Sequence, residues 1–337
     1  MIATTVVCGV DAGGSKTDCV LARADGTVLS RKIAGGTSLI THPRFTDVIA
    51  DVVRLGIEGA GISRDEVGAY AIGLTGVDTS ERVELATAAL AGALGSQRVV
   101  VRNDADIALE GATLSRPGAV LMAGTGSICY GEDRDGRRRR VGGWGHVLGD
   151  EGSGFAVSVA ALAAVLRAVD GRAPRTALLD RALRHFALDD LRRLVELTDQ
   201  FASEPHSAAG FAPHVLELAE AGDPLAAPIV RAAGNELADL ALEIIDTVGS
   251  DGRCVVAFGG GLLANSGYYA SLVRARIQDV CPVAEIRPFE MPPVGGAVLV
   301  ALGTLEAARN FEEPRSRLGQ SLQIDAVDAA TARSVMT

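Results

Sequence analysis

The sequence lacks an excess of positive charge. Its 337 residues include 32 lysines and arginines against 42 aspartates and glutamates, which gives a formal net charge of -10 at pH 7. Binding to nucleic acid is driven by basic surface, so we do not expect a nucleic acid partner. A chain this acidic must bind phosphate groups through local backbone N–H groups, a lysine and metal ions.

Patterned cysteines and long apolar runs are also lacking. The five cysteines form neither a C-x-x-C pair nor a zinc-binding spacing, and such a dispersed set fits a reducing compartment. Apolar runs stay well short of a membrane span, and the first of them reads as a short strand ended by Asp11 rather than as a signal peptide. We therefore expect a soluble, cytoplasmic protein with no membrane partner.

Glycine, by contrast, is abundant, and an informative run is G-V-D-A-G-G-S-K at residues 9–16. The Walker A spacing fails because Lys16 comes one position late, and the G-x-G-x-x-G spacing fails as well. Both of those loops open a helix, whereas the following T-D-C-V-L-A-R-A-D-G reads as a strand closing on an Asp-Gly turn. The stretch is therefore predicted to be strand, glycine turn, strand. Such a turn can hold phosphate, because glycine lets backbone N–H groups approach an anion closely.

The same pattern occurs a second time. Residues 118–136 read as an apolar strand, a G-T-G-S turn, a second strand and an Asp-Gly pair. Residues 5–115 predict the order βββαβαβα, and the restart at 118 indicates a structural duplication. Two halves with matching glycine turns predict two lobes that grip one phosphate chain.

The remainder of the chain is strongly helical after residue 150. A buried strand at 253–258 precedes a third glycine run, Gly259 to Gly261, and the last helix is predicted at 293–309. Residues 310–337 are polar without a clear period, so we expect a loosely held tail. The predicted helices of the middle region are 153–169, 175–186, 189–202, 208–221, 224–248 and 267–279.

Two further stretches carry candidate site residues. Asp104 follows a hydrophobic strand and begins a predicted helix, so it is either a helix cap or a general base at a strand end that faces a ligand crevice. The segment V-G-G-W-G-H-V-L-G-D-E-G-S-G at 141–154 holds the only tryptophan among six glycines, a density that packing alone explains poorly. Within it, Asp150 as a cap, His146 as a structural histidine and Trp144 as a core residue are the simpler interpretations.

Taken in order, the motifs G-V-D-A-G-G-S-K, V-R-N-D-A, A-G-T-G-S, G-G-W-G-H-V-L-G-D-E-G-S and F-G-G-G resemble the BadF/BadG/BcrA/BcrD ATPase family of the actin/hexokinase/Hsp70-like superfamily. The resemblance is greatest to its N-acetylglucosamine and glucosamine kinase branch. It implies an α/β fold of two RNase H-like (actin-like ATPase) lobes with a nucleotide cleft between them. The lobes would be residues 1–115, completed by the helix 293–309, and a larger lobe, 116–292, with a helical insertion; 310–337 would be the tail.

The resemblance also implies cofactors and residue roles. ATP and Mg²⁺ would be the cofactors, Asp104 would be the base that activates a sugar hydroxyl, and Asp11 would hold Mg²⁺ through water. The nucleotide would be bound by the two glycine turns and an adenosine pocket: Gly13, Gly14, Ser15 and Lys16; Gly124, Thr125, Gly126 and Ser127; Gly259 and Gly260 with Ala219. The sugar would contact Asp104 together with Gly143, Trp144, Gly145 and Asp150.

One position departs from the family pattern. The segment G-G-T-S-L at 35–39 places Ser38 where these kinases carry an asparagine that contacts the sugar. Serine is shorter and offers one hydroxyl in place of an amide, and one lost hydrogen bond in a polar pocket can shift specificity by orders of magnitude. The acceptor is therefore expected to be N-acetylglucosamine, glucosamine, another amino sugar or a related cyclitol, phosphorylated at the 6-hydroxyl as the family implies.

Other functions stay open beside an ATP-dependent carbohydrate kinase. Some family members are ATPase activators of 2-hydroxyacyl-CoA dehydratases or benzoyl-CoA reductase, but those carry Cys-Ala-x-Gly-Thr-Gly where this chain has V-L-M before A-G-T-G. An ATP-binding sensor without acceptor chemistry would keep both glycine turns. A glucokinase of the repressor/open-reading-frame/kinase type would show a cysteine-rich zinc segment, which this sequence lacks. The expected partner is a small-molecule amino sugar, and the family suggests a homodimer.

Overall fold

The computed structural model describes residues 5–14, 16–40, 42–113, 117–249, 253–305 and 313–322. These residues form two compact units. One contains the described residues of Met1–Leu114 and Phe289–Thr337, and the other contains those of Ser115–Pro288. Each unit has a five-stranded sheet in its described part. Within the same residues, no helix combines the length and the apolarity that crossing a bilayer requires.

The first unit follows the predicted order βββαβαβα, and one helix is added from the far end of the chain. Its elements are β1 (Val6–Ala12), β2 (Lys16–Arg23), β3 (Val28–Gly35), α1 (Phe45–Ala60), β4 (Val67–Leu74), α2 (Ser80–Leu94), β5 (Val99–Arg102), α3 (Asp104–Ala112) and α12 (Pro293–Gly303). The strand order is β3-β2-β1-β4-β5. β1, β4 and β5 are parallel, whereas β2 and β3 are antiparallel to their neighbours. The carboxyl ends of the three parallel strands therefore lie at one edge of this sheet.

Both faces of the first sheet are covered. On one face α1 presents Ile49, Val52 and Val53 at helical spacing to a core that includes β1 and β2. On the other face α12 packs against β1, β4 and α3, and all of its residues from Val294 to Leu302 are buried. α12 begins with proline at its first position, where no intrahelical N–H bond is lost.

The chain end differs from its prediction in two ways. The last helix was predicted to run to residue 309, but α12 ends at Gly303, where the Thr304 hydroxyl donates a 2.7 Å hydrogen bond to the carbonyl of Ala301. The expectation of a loosely held tail is wrong for residues 313–322, which are helical, with Leu318 and Leu322 fully buried. The other residues of the predicted tail lie outside the described residues.

Arg315 anchors this terminal helix. Its side chain is nearly buried and donates hydrogen bonds to the carbonyl of Glu110 (2.7 Å) and the carboxylate of Glu290 (2.9 Å). Leu318 and Leu322 stand one helical turn apart and join the apolar cluster around α12. That i, i+4 pair was the sequence signal for a packed helix in this region.

The second unit repeats the sheet of the first. Its elements are β6 (Gly118–Ala123), β7 (Ser127–Glu132), β8 (Arg138–Gly142), α4 (Gly154–Val169), α5 (Ala177–His185), α6 (Thr198–Ser203), α7 (Pro205–Ala209), α8 (Ala212–Glu220), α9 (Ala226–Val248), β9 (Val255–Gly259), α10 (Gly261–Asn265), α11 (Gly267–Val280) and β10 (Glu285–Pro288). The strand order β8-β7-β6-β9-β10 matches β3-β2-β1-β4-β5 position by position, with the same directions. The duplication that the repeated motif predicted is therefore present.

One predicted helix of the second unit takes another form. The segment predicted as a helix at 189–202 begins with a 3₁₀ stretch, Leu191–Leu197, and only then becomes α6. The Asp190 carboxylate accepts a hydrogen bond from the N–H of Arg192, and the buried residues Leu191 and Leu194 recur at a spacing of three. Three residues per turn is the period of the 3₁₀-helix, so burial of this pair favours the tighter form.

Candidate functional site

The first glycine turn joins β1 to β2. Its N–H at Gly13 donates to the carbonyl of Lys16 (3.0 Å), and its carbonyl at Gly13 accepts from the N–H of Thr37 (2.9 Å). A Cβ on Gly14 would meet no atom within 4 Å, and neither glycine has a positive φ. Packing and backbone conformation therefore do not require glycine at position 14, and a glycine there leaves the backbone open to close approach by another group. Ser15, predicted to belong to this turn, lies outside the described residues.

Lys16 is tethered beside this turn. Its ammonium nitrogen lies 3.6 Å from Oδ2 of Asp18, and its side chain is about half exposed. Asp18 is itself buried and receives two hydrogen bonds from Arg31, at 3.0 and 2.7 Å. Such a forked pair fixes the plane of the carboxylate, so the Lys16 ammonium has a fixed anionic neighbour at the glycine turn.

Asp11 is the penultimate residue of β1 and pairs with Asp18 across the antiparallel ladder. Burial first, and then the charges of Asp104 and Asp18, raise the pKa of Asp11 to about 7 against the opposing charge of Lys16. A bound cation would stabilise the ionised form of a carboxyl group that lies near other carboxylates. The described residues contain no cluster of three or more side chains of the metal-binding types. Mg²⁺ usually keeps several water ligands and takes only one or two carboxylates from a protein, so a single carboxylate such as that of Asp11 is compatible with it.

Asp104 begins α3, directly after β5. The cap position belongs to Asn103, whose side-chain oxygen accepts a 2.9 Å hydrogen bond from the N–H of Ala105. Asp104 instead accepts a 2.7 Å hydrogen bond from the hydroxyl of Thr75. Burial raises the pKa of Asp104 and the charge of Asp78 adds to this, whereas the hydrogen bonds from Thr75 and Ala105 lower it. A helix-cap role alone therefore does not account for Asp104.

Thr75 connects three predicted parts of the site in the first unit. Its N–H donates to the carbonyl of Ala12 (3.1 Å) at the end of β1, and its hydroxyl binds Asp104. Its carbonyl accepts from the N–H of Leu39 (3.1 Å), next to the buried Ser38. The residue was missed in the sequence analysis. Its position immediately after β4, at the carboxyl edge of a parallel sheet, was the signal that could have found it.

In the second unit, the turn of residues 124–127 is fixed by the start of α4. The N–H of Gly154 donates to the carbonyl of Gly124 (2.8 Å), and that of Phe155 donates to the carbonyl of Thr125 (3.2 Å). The hydroxyl of Ser127 donates to the carbonyl of Glu151 (2.6 Å). The first two N–H groups of α4 therefore bind carbonyl groups of this turn and hold the turn in place.

Asp150 lies against the same turn. A Cβ on Gly126 would come within 2.6 Å of Oδ2 of Asp150, so glycine is needed there for the carboxylate to take its place. Asp150 has a φ of 56°, a region that non-glycine residues adopt at a cost of roughly 1–3 kcal/mol and often at functional sites. Burial raises its pKa, and the N–H groups of Gly145 and Ser127 lower it. The cap of α4 is Ser153, so Asp150 is not the cap.

Trp144 is not a core residue. Its side chain is 69% exposed, and the guanidinium of Arg140 stacks over its ring at 4.7 Å from the ring centroid. His146 has the structural role that was the simpler interpretation: its Nε2 lies 3.1 Å from the carbonyl of Ala202, and its ring packs edge-on against Phe155. Gly143 and Gly145 both have positive φ, which glycine adopts without strain.

The third glycine run packs directly on the second turn. A Cβ on Gly260, whose φ is 82°, would collide with the backbone of Ala123 at the end of β6, and Gly124 lies close to the N–H of Gly261. Gly259 ends β9 and α10 begins at Gly261, so the run lies at the carboxyl edge of the second sheet. The side chain of Ala219 is buried in the apolar cluster that also includes Ala123, Phe258 and Leu262.

Two sheets of one topology, each with a glycine turn between its first two strands, define an α/β fold of the two-lobed, actin-like ATPase type. The chain belongs to the BadF/BadG/BcrA/BcrD ATPase family, whose profile matches residues 8–301. The family and the fold class predicted from the motifs are therefore confirmed.

The matches to named relatives cover nearly the whole length of each relative. An N-acetylmuramic acid/N-acetylglucosamine kinase of Clostridium acetobutylicum is 29% identical over 298 residues, 88% of this chain and 97% of the relative. An N-acetyl-D-glucosamine kinase of Dictyostelium discoideum is 30% identical over 312 residues, with the same two coverages. The solved structure of a candidate N-acetylglucosamine kinase from Chromobacterium violaceum matches with a TM-score of 0.73 and 26% identity, covering 88% of this chain and 99% of that one.

Proposed function

We propose that this protein transfers the γ-phosphoryl group of ATP to the 6-hydroxyl of an amino sugar, N-acetylglucosamine or glucosamine. The observation that carries the proposal is the Asp104 carboxylate, which is held by Thr75 at the carboxyl edge of a parallel sheet and is coupled electrostatically to Asp11. Phosphoryl transfer requires positioning, neutralisation of charge and a base rather than a covalent nucleophile. The names of the relatives support a sugar as the acceptor.

In this proposal the phosphates of ATP are bound by backbone N–H groups of the two glycine turns and by the Lys16 ammonium. Gly259 and Gly260, with Ala219, line the adenosine pocket. Asp11 would hold Mg²⁺ through water, and the ion would offset the negative charge of the phosphates. We also propose that residues 1–115 with α12, and residues 116–292, are the two domains of the protein.

Asp104 acts as the general base. Its carboxylate accepts the proton of the sugar hydroxyl as the hydroxyl oxygen attacks phosphorus and ADP departs. Thr75 keeps the carboxylate in place and favours its ionised form, because a hydrogen bond to the charged form lowers a pKa. Ser38, Gly143, Trp144, Gly145 and Asp150 hold the sugar so that its hydroxyl meets the base.

An electron-transferring activator is the less supported alternative. That function needs cysteines available to a cluster, whereas Cys129, which follows the second glycine turn, is a fully buried residue of β7. Burial also raises the pKa of the Cys129 thiol far above its usual value, and this opposes the thiolate form that binds iron.

The test is ATP consumption by the purified protein with Mg²⁺ against a set of acceptors: N-acetylglucosamine, glucosamine, N-acetylmannosamine, glucose and no sugar. Asp104→Asn should lower the sugar-dependent rate about 10²- to 10⁴-fold, the usual contribution of a general base. Asp190→Asn is the matched control, because asparagine caps a helix as well as aspartate does. ATP turnover that is independent of sugar, or equal loss in both variants, would refute the proposal.

A further inference from the structure

Asp150 begins a tight turn that leads into α4. The N–H of Ser153 donates to the carbonyl of Asp150 (3.1 Å), which closes a four-residue turn, and Gly152 at its third position has a φ of 72°. Asp150 itself has a φ of 56°, and a residue other than glycine keeps such a conformation only where the surrounding structure enforces it. The groups that hold this turn therefore decide where the Asp150 carboxylate lies.

Two hydroxyl groups from distant parts of the second unit hold the turn. The hydroxyl of Ser127, at the start of β7, donates to the carbonyl of Glu151 (2.6 Å). The hydroxyl of Tyr269, in the first turn of α11, donates to the carbonyl of Gly152 (2.7 Å) across 117 residues of sequence. Each of the two central residues of the turn therefore has its carbonyl bound by a side-chain hydroxyl.

Tyr269 is itself held firmly in place. Its side chain is fully buried, and its N–H donates to the hydroxyl oxygen of Ser266, the cap of α11 (3.2 Å). A Cβ on Gly152 would come within 2.6 Å of the carbonyl oxygen of Ala233 in α9 and within 3.1 Å of the Tyr269 hydroxyl. The turn is therefore packed directly between α9 and this hydroxyl, with no room for even one additional methyl group.

The first residue of the turn belongs to the proposed sugar site. The Asp150 carboxylate accepts the N–H of Gly145 (3.2 Å) and lies against Gly126 of the second glycine turn. A buried tyrosine hydroxyl usually has a hydrogen-bond partner, which is the simpler interpretation of Tyr269. Its partner, however, lies in an irregular turn and only two residues from this carboxylate, so a shift of Gly152 would be passed to Asp150 through Glu151 alone.

We propose that Tyr269 is a positioning residue of the sugar site and acts through the turn that begins at Asp150; this rests on the function proposed above. The Tyr269 hydroxyl fixes the carbonyl of Gly152, the turn fixes the Asp150 carboxylate, and that carboxylate orients the sugar by accepting a hydrogen bond from one of its hydroxyl groups. Without the tyrosine hydroxyl the carbonyl of Gly152 loses this partner, and the carboxylate no longer meets the sugar in a single geometry.

Tyr269→Phe removes the hydroxyl and keeps the ring. Tyr268→Phe is the matched control, because it makes the same change at the preceding residue of α11, which is only partly buried. Initial rates are measured with N-acetylglucosamine or glucosamine while the sugar and ATP are varied in turn. We expect Tyr269→Phe to raise the KM for the sugar about tenfold, the order of effect of one lost hydrogen bond, and to leave the KM for ATP within about threefold. Tyr268→Phe should change neither constant.

A double-mutant cycle tests whether the effect passes through Asp150. Tyr269→Phe should lower kcat/KM for the sugar about tenfold in the wild-type background and less than about twofold in the Asp150→Asn background, where the carboxylate is already absent. Equal losses in the two backgrounds would show that Tyr269 acts independently of Asp150, and this would overturn the inference. Thermal unfolding of each variant checks that it is folded at the assay temperature.

Titration calorimetry with the sugar alone gives a readout that does not depend on turnover, and sugar binding about tenfold weaker in Tyr269→Phe supports the inference. A purely structural role would lower the unfolding temperature of Tyr269→Phe and leave sugar binding and the KM for the sugar as in wild type. In that case the inference is wrong and the proposed kinase stands. If no sugar stimulates ATP consumption by the wild-type protein, the proposed function fails, and the inference fails with it.

Discussion

The hydroxyl of Thr75 donates a 2.7 Å hydrogen bond to the carboxylate of Asp104, across 29 residues of sequence. The same residue binds the end of β1 and the loop of Ser38 through its backbone. If Asp104 is the base, Thr75 is the residue that positions it. A substitution of Thr75 would therefore remove the side-chain hydrogen bond to Asp104 and keep the backbone hydrogen bonds to Ala12 and Leu39.

Thr75→Val should lower kcat about tenfold and leave the KM for the sugar nearly unchanged, because valine keeps the shape but removes one hydrogen bond to a charged group. Thr75→Ser should restore most of the rate. The matched control is Thr87→Val, which removes a hydroxyl bonded to a backbone carbonyl on α2. Steady-state kinetics with saturating ATP provide the measurement, and an equal loss in Thr75→Ser would contradict the positioning role.

Asp11→Asn should change how the stability of the ligand-free protein depends on pH. Because the pKa of Asp11 is raised to about 7, the folded state holds its proton more tightly than the unfolded state does. The stability that this proton contributes is complete below pH 4 and is lost as the pH rises through 7. Asparagine cannot lose a proton, so the free energy of unfolding of Asp11→Asn should rise relative to that of wild type between pH 5 and pH 8, by at most about 3 kcal/mol.

Urea unfolding at pH 5 and at pH 8, without nucleotide or Mg²⁺, measures this difference. Asp65→Asn serves as the control on an exposed position of the same unit, and its stability relative to wild type should be the same at both values of pH. Parallel curves for Asp11→Asn and wild type would show that Asp11 is ionised normally in the folded protein.

Gly126→Ala should impair sugar binding more than it impairs folding. The added methyl group would lie 2.6 Å from the Asp150 carboxylate, which must then leave the second glycine turn. We expect the KM for the sugar to rise at least tenfold, with a stability cost of about 1–3 kcal/mol, the range for overpacking a tight site. Gly267→Ala is the control, since no atom lies within 4 Å of its new methyl group and its φ is not positive. Thermal unfolding and sugar kinetics on both variants distinguish the effects.

Leu318→Ala should destabilise the first unit by about 2–5 kcal/mol, as truncation of a fully buried leucine usually does. Leu85→Ala, on the exposed face of α2, should cost less than about 0.5 kcal/mol. Urea unfolding of both variants decides the matter. Similar small losses in the two would mean that the helix at 313–322 contributes little to the stability of the unit.

The glycine turns and the order of strands could be predicted because their signals are local. An apolar strand, a glycine turn and a second strand are contiguous in sequence. The turns at Gly13 and Gly124 can therefore each be recognised from one short stretch of the chain. The position of Asp104 could be predicted as well, since the end of a hydrophobic strand is visible in the sequence.

The contacts that hold these residues could not be predicted, because they join distant segments. Thr75 and Asp104 meet only when β4 and β5 are neighbours, and Arg315 reaches Glu110 across 205 residues. Arg140 and Trp144 are close in sequence, but their stacking depends on the bend at Gly142 and Gly143, both of which have a positive φ. The prediction of a loosely held tail failed for residues 313–322 because the segment is mostly polar and only two leucines, Leu318 and Leu322, indicate a buried face.

The position of α12 in the first unit has a consequence for synthesis. Val7, Val20, Ala69 and Ala71 form one face of the first sheet, and α12 is what covers them. A ribosome must pass residue 303 before that helix exists, whereas the second unit is encoded without interruption by residues 115–288. The first unit is therefore the first to begin synthesis and the last to gain all of its elements. Until α12 is made, one apolar face of its sheet stays uncovered.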